Sequence, residues 1–450
     1  MHEDTRKYIL VTDTFAGLGF ADEHITKHPE GEVIIAYGFD ESKMEKDKAK
    51  EQWEQYDKVG EGIVETFRMD KIMKNREEYR DWYWVFDGNH NVEENELLRK
   101  EGFKVVFGGE FCNKLENDRE FGNEFAEECG LFSPDTHDFE SFDDGIKFLE
   151  ENEESAFVFK PNHCEENWMT YVPVAEDPIN ANLELREYMV AIEKIDKVNE
   201  GYILQKKVKG IEVNVEGFYM NGELVYAHAN FENKKTGMDD TGAASGCAFD
   251  VEFTIPNNCK LFQITVGKFN DRIKEMKYTG FADANVIIGE FQDVYFLEFC
   301  WRWGYNSHCN LFFNLFEHTL LQCSADLYDG TFVPKVKDGF GASLTLFTEH
   351  YHTGLPIYIP DSLRNKTYLM DAYKEDDKLF MVGTDHEICL AMAHEYTIEL
   401  ALKNVVENGQ KVLFPCRYAR WDAYTNKDAN SGPKRRWEGL NSMRMFDEIK

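Results

Sequence analysis

The stretch YTGFADANVIIGEFQDVYFLEFCWRWG, from Tyr278 to Gly304, decides how this chain is read. Apolar and polar positions alternate over residues 281–288, a turn region follows at Gly289-Glu290, and residues 294–299 are again rich in apolar and aromatic types. That pattern predicts two strands joined as a hairpin, with side chains of one parity facing inward. On that parity Asp283 and Asn285 face one way, and so do Glu298 and Cys300. Magnesium takes hard oxygen ligands and shares them with phosphates, so oxygen groups at the ends of neighbouring strands, followed by Arg302, suit a metal and a polyphosphate. Glu298 is the metal carboxylate of this reading, with Asn285 and Asp283 beside it. The same pattern also fits a solvated hairpin that happens to carry acids.

With 450 residues the chain has room for two or three domains with substantial cores. Hydrophobic residues at 42% and aromatic residues at 14% describe a packed protein despite 30% charged residues. A formal charge of −34 repels a phosphate backbone over most of the surface, so a nucleic-acid polymer is not an expected partner. A local basic site for small phosphates remains open. Ten cysteines lie scattered without metal-type spacing, and the start, MHEDTRKYILVTD, has no apolar signal region. Both favour reduced thiols in a cytoplasm. No apolar run reaches the length of a membrane span.

Short apolar runs at 8–13, 32–37 and 82–87, separated by helical or turn-rich stretches, predict an open α/β sheet. A helix is expected over 115–129, closed by Gly130. Strands follow at 156–160, 202–208, 212–219 and 224–230, the last two joined by the turn Met220-Asn221-Gly222. Helix is expected again over 260–276. From about Lys335 the pattern reads as a separable α/β tail, with a long helix over 385–408 and a strand at 411–415. The charge-rich spacer 40–58 reads as a solvated helix.

The hairpin resembles the ATP-grasp superfamily, and within it the glycinamide ribonucleotide synthetases, or phosphoribosylamine-glycine ligases. That family carries a Tyr-Thr-Gly-Phe run before one strand, here Tyr278-Thr279-Gly280-Phe281. It carries Glu-Phe-Asn-x-Arg-Phe-Gly at the end of the next, here Glu298-Phe299-Cys300-Trp301-Arg302-Trp303-Gly304. Cys300 replaces the family's metal-binding Asn, and a neutral thiol is a poor magnesium ligand. Asn285 lies thirteen positions before Glu298, where many ATP-grasp ligases place an acidic ligand, so Asn285 or Asp283 compensates on this reading.

The resemblance implies an ATP-grasp fold of mixed α/β and α+β class: an N-terminal open α/β domain over 1–108, the ATP-grasp domain over 109–334 and a C-terminal domain over 335–450. It implies ATP and magnesium or manganese as cofactors. Lys160, at a strand end, and Arg119, in the place of an upstream lysine, would meet ATP phosphates. Gln205, Lys206, Lys207 and Val208 would form the adenine hinge through their backbone, with Glu212 on the ribose. The phosphate-covering loop that follows Lys160 in the family is here Asn162 to Trp168, with no Gly and two acids. Lys234 and Lys235, next to a Gly-rich segment with Asp240, Gly242, Ser245 and Gly246, would approach the γ-phosphate and the acceptor amine. Lys234, Lys235 and Arg302 are the implied catalytic cations. At the acceptor side the family's first glycine-rich loop becomes Asp13-Thr14-Phe15-Ala16-Gly17-Leu18-Gly19-Phe20, in which Gly17 and Gly19 keep a tight strand-to-helix turn, and its Gly-Pro-Glu loop becomes Asp87-Gly88-Asn89-His90-Asn91. The nucleotide side is better kept than the acceptor side.

The activity implied is a carboxylate-amine ligation through an acyl phosphate, joining glycine or another amino acid to an amine acceptor, with purine biosynthesis as the nearest setting and a modified nucleotide as one altered acceptor. A monomer or homodimer is expected. The alternative is a catalytically weakened or inactive ATP-grasp frame with a binding or structural role. A kinase-like use of the same chemistry is a third option.

Overall fold

The computed structural model describes residues 3–38, 46–162, 169–194, 201–350, 352–425 and 432–449. It divides into two compact units: Met1–Asn113 with Val213–Asp283 and Cys300–Lys450, and Lys114–Glu212 with Ala284–Phe299.

The first unit opens with a parallel sheet. Its strands β1 (Lys7–Thr12), β2 (Glu32–Tyr37), β3 (Glu65–Arg68), β4 (Tyr83–Phe86) and β5 (Lys104–Val106) lie in the order β3-β2-β1-β4-β5. Successive side chains of a strand leave on opposite faces. Accordingly Ile9, Val11, Ile34, Trp84 and Phe86 fill one core, while Tyr8, Leu10, Ile35 and Val85 fill another. Burial on both faces is why these runs are continuously apolar rather than alternating. Helix α1 (Gly17–Lys27) connects β1 to β2.

The second unit holds the three-stranded antiparallel sheet β6 (Thr136–Phe139), β7 (Phe157–Pro161) and β8 (Tyr202–Lys206), in the order β6-β8-β7. Its core joins Phe157, Phe159, Tyr202 and Leu204 to Leu185, Met189 and Ile192 of the helix Pro178–Glu193. The helix expected over 115–129 is two: Glu110–Asn117 and Arg119–Glu128. Asp118 makes the break, because its carboxylate accepts the Phe121 N–H at 3.1 Å and caps the second helix.

The large antiparallel sheet of the first unit runs β9 (Ile211–Met220), β10 (Glu223–Gly237), β11 (Thr241–Thr254), then, later in sequence, β14 (Phe340–Thr348), β19 (Glu387–Glu395) and β16 (Thr367–Leu369). Between these in the chain, β12 (Gly280–Ile288) starts beside β9 and ends in the second unit, where it pairs with β13 (Val294–Glu298). The expected hairpin therefore exists, its turn closed by the Gly289 N–H on the Asp293 carbonyl at 2.9 Å. A small sheet orders β15 (Pro356–Ile357), β18 (Lys378–Met381) and β17 (Ala372–Glu375), and β20 (Arg417–Tyr418) pairs with β14.

Four further expectations are corrected. The tail from Lys335 is not separable, because β14 pairs with β11 from Phe249↔Leu344 to Phe253↔Phe340 and carries β19 on its other edge. The helix over 385–408 is a strand, β19, followed by the helix Ile398–Gly409. Central placement in the sheet buries Ile388 to Ala393 without interruption, which hides strand alternation, and the Thr397 hydroxyl accepts the Leu400 N–H to start the helix. Residues 411–415 form no strand, only a bridge from Leu413 to Tyr358. The helix over 260–276 is broken at Thr265 (φ −118°, ψ −110°) into three short helical pieces.

Candidate functional site

Within the second unit, the strands carry the nucleotide-side residues. Lys160 sits near the end of β7, paired across to Ile203 of β8, and is half-buried. The Arg119 side chain starts the helix Arg119–Glu128 and is half-buried, with its Nε without a hydrogen-bond partner among the described residues. Gln205 is buried and its amide donates to the Thr136 hydroxyl at 3.1 Å. In the expected hinge, the Lys206 N–H is spent on the Asp135 carbonyl and the Lys207 N–H on the Ala156 carbonyl. The Lys207 ammonium donates to the Pro173 carbonyl at 2.7 Å. The backbone N–H groups of Lys206 and Lys207 are thus both engaged within the protein. Glu212 is half-buried on β9. The loop residues 163–168 lie outside the described residues.

Also in the second unit, Glu298 and Asn285 stand directly opposite each other in the β12–β13 register. Glu298 is exposed, while Asn285 is 6% exposed and its Oδ1 has no partner among the described residues. A carboxylate facing a bare amide oxygen is a set of hard donors that fits magnesium. Asp283 belongs to the first unit, where its Oδ1 accepts the Cys300 N–H at 2.6 Å and its carbonyl accepts the Trp301 indole N–H at 3.0 Å. That role explains the acid at position 283 through the Cys300–Trp303 backbone it anchors. Arg302, in the same unit, donates to the Trp303 carbonyl at 3.4 Å.

The segment expected as a Gly-rich loop is instead the tip of the long β10–β11 hairpin, since Gly237 pairs with Thr241 and Lys235 with Ala244. Lys234 is half-buried and Lys235 exposed. Asp240, at the tip, is held 2.8 Å from Arg420, which is wholly buried and also donates to the Lys235 carbonyl at 2.9 Å. Gly242 takes φ +79°, which favours glycine. Ser245 donates to the Lys234 carbonyl, and a side chain at Gly246 would meet open space. Gly17 and Gly19 lie inside α1 rather than before it. A methyl at Gly19 would come within 2.4 Å of the Tyr368 ring, so this glycine serves close packing.

Two groupings escaped the sequence reading. The first is a buried trio on β9, β10 and the helix Tyr305–Asn310: Glu216 Oε2 lies 2.8 Å from His308 Nε2 and 3.4 Å from His228 Nε2. Two imidazoles and a carboxylate at such separations would suit zinc better than magnesium. However, the Gly304 N–H donates to His308 Nδ1 at 2.6 Å, which puts the ring proton on Nε2, the atom that would have to be bare to bind a metal. The trio is a hydrogen-bonded hub: Asn214 and Asn230 donate to Glu216 Oε1, and the two histidines hold its carboxyl below its ordinary range. Burial pulls His228 down to about 4.

The second grouping lies at the carboxyl ends of β1 and β4. Asp87 is fully buried and pushed up to about 8, by burial first and by the charge of Asp13 second. Neither of its oxygens has a hydrogen-bond partner in the described geometry. The signal was present in the sequence, an Asp directly after each of two apolar runs, but it becomes a pair only when those runs turn out to be adjacent strands.

No family sequence model matches the chain, and no curated protein matches it by sequence. Solved structures do match. The phosphoribosylamine-glycine ligase of Thermotoga maritima aligns over 92% of this chain and 99% of its own, at 14% identity and a TM-score of 0.65. The biotin carboxylase domain of the Hydrogenobacter thermophilus 2-oxoglutarate carboxylase, solved with MgADP, ADP and bicarbonate, covers 100% of both chains at 10% identity and a TM-score of 0.65. The L-amino acid ligase of Bacillus licheniformis covers 92% of this chain and 99% of its own, at 11% identity and a TM-score of 0.57. The chain has the ATP-grasp fold, with an architecture similar to that of the glycinamide ribonucleotide synthetases.

Proposed function

We propose that this ATP-grasp chain is an ATP-dependent carboxylate-amine ligase. The observation that carries the proposal is the arrangement of the second unit: Arg119, Lys160, the 205–208 segment, Glu212 and the Asn285–Glu298 pair come from stretches far apart in sequence and fold into one compact body. In this reading residues 109–334 contain the nucleotide side and residues 1–108 the acceptor side.

ATP transfers its γ-phosphoryl group to a substrate carboxylate, and ADP leaves. The amine then attacks the acyl carbon, the bond to the phosphate oxygen breaks, and the amide and inorganic phosphate are released with the amine's proton passing to solvent. No protein nucleophile is needed, because positioning and charge neutralisation supply the catalysis. Lys160 and Arg119 bind phosphate oxygens, and Lys234, Lys235 and Arg302 are the cations assigned to the developing acyl phosphate. Glu298 and Asn285 are the residues that would hold magnesium, which neutralises phosphate charge when bound. The carboxylate is glycine or another amino acid. The acceptor is phosphoribosylamine or an altered amine such as a modified nucleotide, the second option resting on the departure of Asp13–Phe20 and Asp87–Asn91 from the family's acceptor loops.

Titration calorimetry with MgATP tests the nucleotide site. Binding is expected in the parent and lost in both Glu298→Ala and Lys160→Ala; a parent that binds no MgATP overturns the proposal. A second reading, a weakened frame without turnover, is motivated by Cys300 at the family's metal Asn. Cys300→Asn then raises metal-dependent ATP affinity, whereas an unchanged affinity counts against the metal placement. Product analysis separates a ligase, which leaves an amide, from a kinase, which leaves a stable phosphorylated product.

A further inference from the structure

The parallel sheet of the first unit changes direction between β1 and β4: β2 and β3 extend it on one side, β5 on the other. In open α/β sheets, ligands bind outside the carboxyl ends of the strands at such a switch point. The residues that stand there are acids. Val11 pairs with Phe86, the Asp87 N–H donates to the Val11 carbonyl at 3.1 Å, and Asp13 follows β1 as Asp87 follows β4.

The two carboxylates are poorly compensated. Both Asp87 oxygens are buried without a hydrogen-bond partner, and so is Oδ1 of Asp13, while Asp13 Oδ2 lies 2.9 Å from Nε2 of the exposed His90. The Tyr37 hydroxyl, at the end of β2 where Tyr37 pairs with Thr12 of β1, is buried and also without a partner. The other charges nearby are largely engaged. Asp371 accepts the Gly383 N–H at 2.8 Å and the Thr384 hydroxyl, and Asp385 is paired with His386. The Thr12 hydroxyl and the fields of His90 and Arg302 favour the Asp87 carboxylate but are outweighed by its burial and by Asp13. A buried carboxylate with no donor is unfavourable unless a charge or a set of N–H groups meets it. A phosphate brought to this point would instead face two acids.

We propose that the carboxyl ends of β1 and β4 bind an ammonium-bearing small molecule without a phosphate, recognised by Asp13 and Asp87. On the ligase reading above, on which this role rests, that molecule is the amine acceptor. The proposal narrows the acceptor away from nucleotides and towards aliphatic amines. Asp87 would meet the ammonium as a carboxylate, with the Tyr37 hydroxyl as a further polar contact.

The test is calorimetry on the full chain with two probes, 1,4-diaminobutane and ribose 5-phosphate, at low ionic strength. The diamine is expected to bind saturably, and Asp13→Asn and Asp87→Asn each to weaken it at least about tenfold, as loss of a buried charge partner does. Circular dichroism melts of both variants show that they fold. Binding of ribose 5-phosphate in preference to the diamine overturns the proposal, as does a diamine affinity that neither substitution changes or the absence of diamine binding altogether. MgATP binding measured in the same samples keeps the two claims apart. ATP binding without diamine binding overturns this inference alone; diamine binding that needs Asp13 and Asp87, without ATP binding, overturns the ligase reading and leaves the amine site standing.

Discussion

Asp87 concentrates the physics at the carboxyl ends of β1 and β4. Its folded pKa of about 8 stands above the ordinary 3.8 because burial and the Asp13 charge oppose ionisation, against smaller opposing contributions from Thr12, His90 and Arg302. The folded protein therefore holds a proton that the unfolded chain releases. Below about pH 4 both states are protonated and the group contributes nothing; as pH rises from about 4 to about 8 it lowers stability by about 1.4 kcal/mol per unit, and above that the loss is constant. Asp87→Asn removes this slope, so urea unfolding is expected to show the variant gaining more over the parent at about pH 7.5 than at about pH 5. An equal difference at both values would mean that Asp87 ionises normally. Glu216 is the opposite kind of buried acid, ionised and surrounded by donors. Glu216→Ala leaves the amides of Asn214 and Asn230 and the His308 ring N–H without an acceptor, and a loss of about 3–5 kcal/mol in unfolding free energy is expected.

Among the elements, the β10–β11 hairpin shows how a strand pair is finished by a residue from far along the chain. Thr241–Thr254 continues as strand where glycines and small residues suggest a loop, because its backbone pairs with β10. The tip is clamped by Arg420, which reaches Asp240, Asp422 and the Lys235 carbonyl. Arg420→Met leaves two carboxylates without their cation and the tip without its clamp. Limited trypsin digestion is expected to cut the variant faster after Lys234 or Lys235 than the parent; an unchanged cleavage rate would show that the backbone ladder alone holds the tip. The same logic explains β19, whose residues look helical in isolation and are a strand because β14 and β16 flank them.

For the whole molecule, the formal charge of −34 is the dominant long-range quantity. Self-repulsion of that size opposes compaction and is screened by salt within a Debye length of about 10 Å at 0.1 M. The melting temperature is therefore expected to rise when sodium chloride is raised from about 0.02 M to about 0.2 M; a fall would mean that local ion pairs such as Arg6–Asp326 outweigh the net repulsion. No helix among the described residues is long and apolar enough to cross a membrane.

The open α/β sheet at the start of the chain and the Tyr278–Gly304 hairpin were legible because apolar periodicity and turn residues are local properties, whereas the ATP-grasp fold was legible only through motif resemblance and the Asn285–Glu298 pairing is set by a bulge between Asn285 and Val286. Lys160 and the 202–206 strand were legible for the same reason. What the tertiary structure decided is adjacency. Only the strand order β3-β2-β1-β4-β5 brings together the strand ends that carry Asp13 and Asp87, seventy-odd positions apart in two loops that the sequence alone leaves unconnected. Only sheet pairing makes β19 a strand and joins the tail to β11, since a continuously buried apolar run carries no period of its own until its neighbours supply the hydrogen bonds.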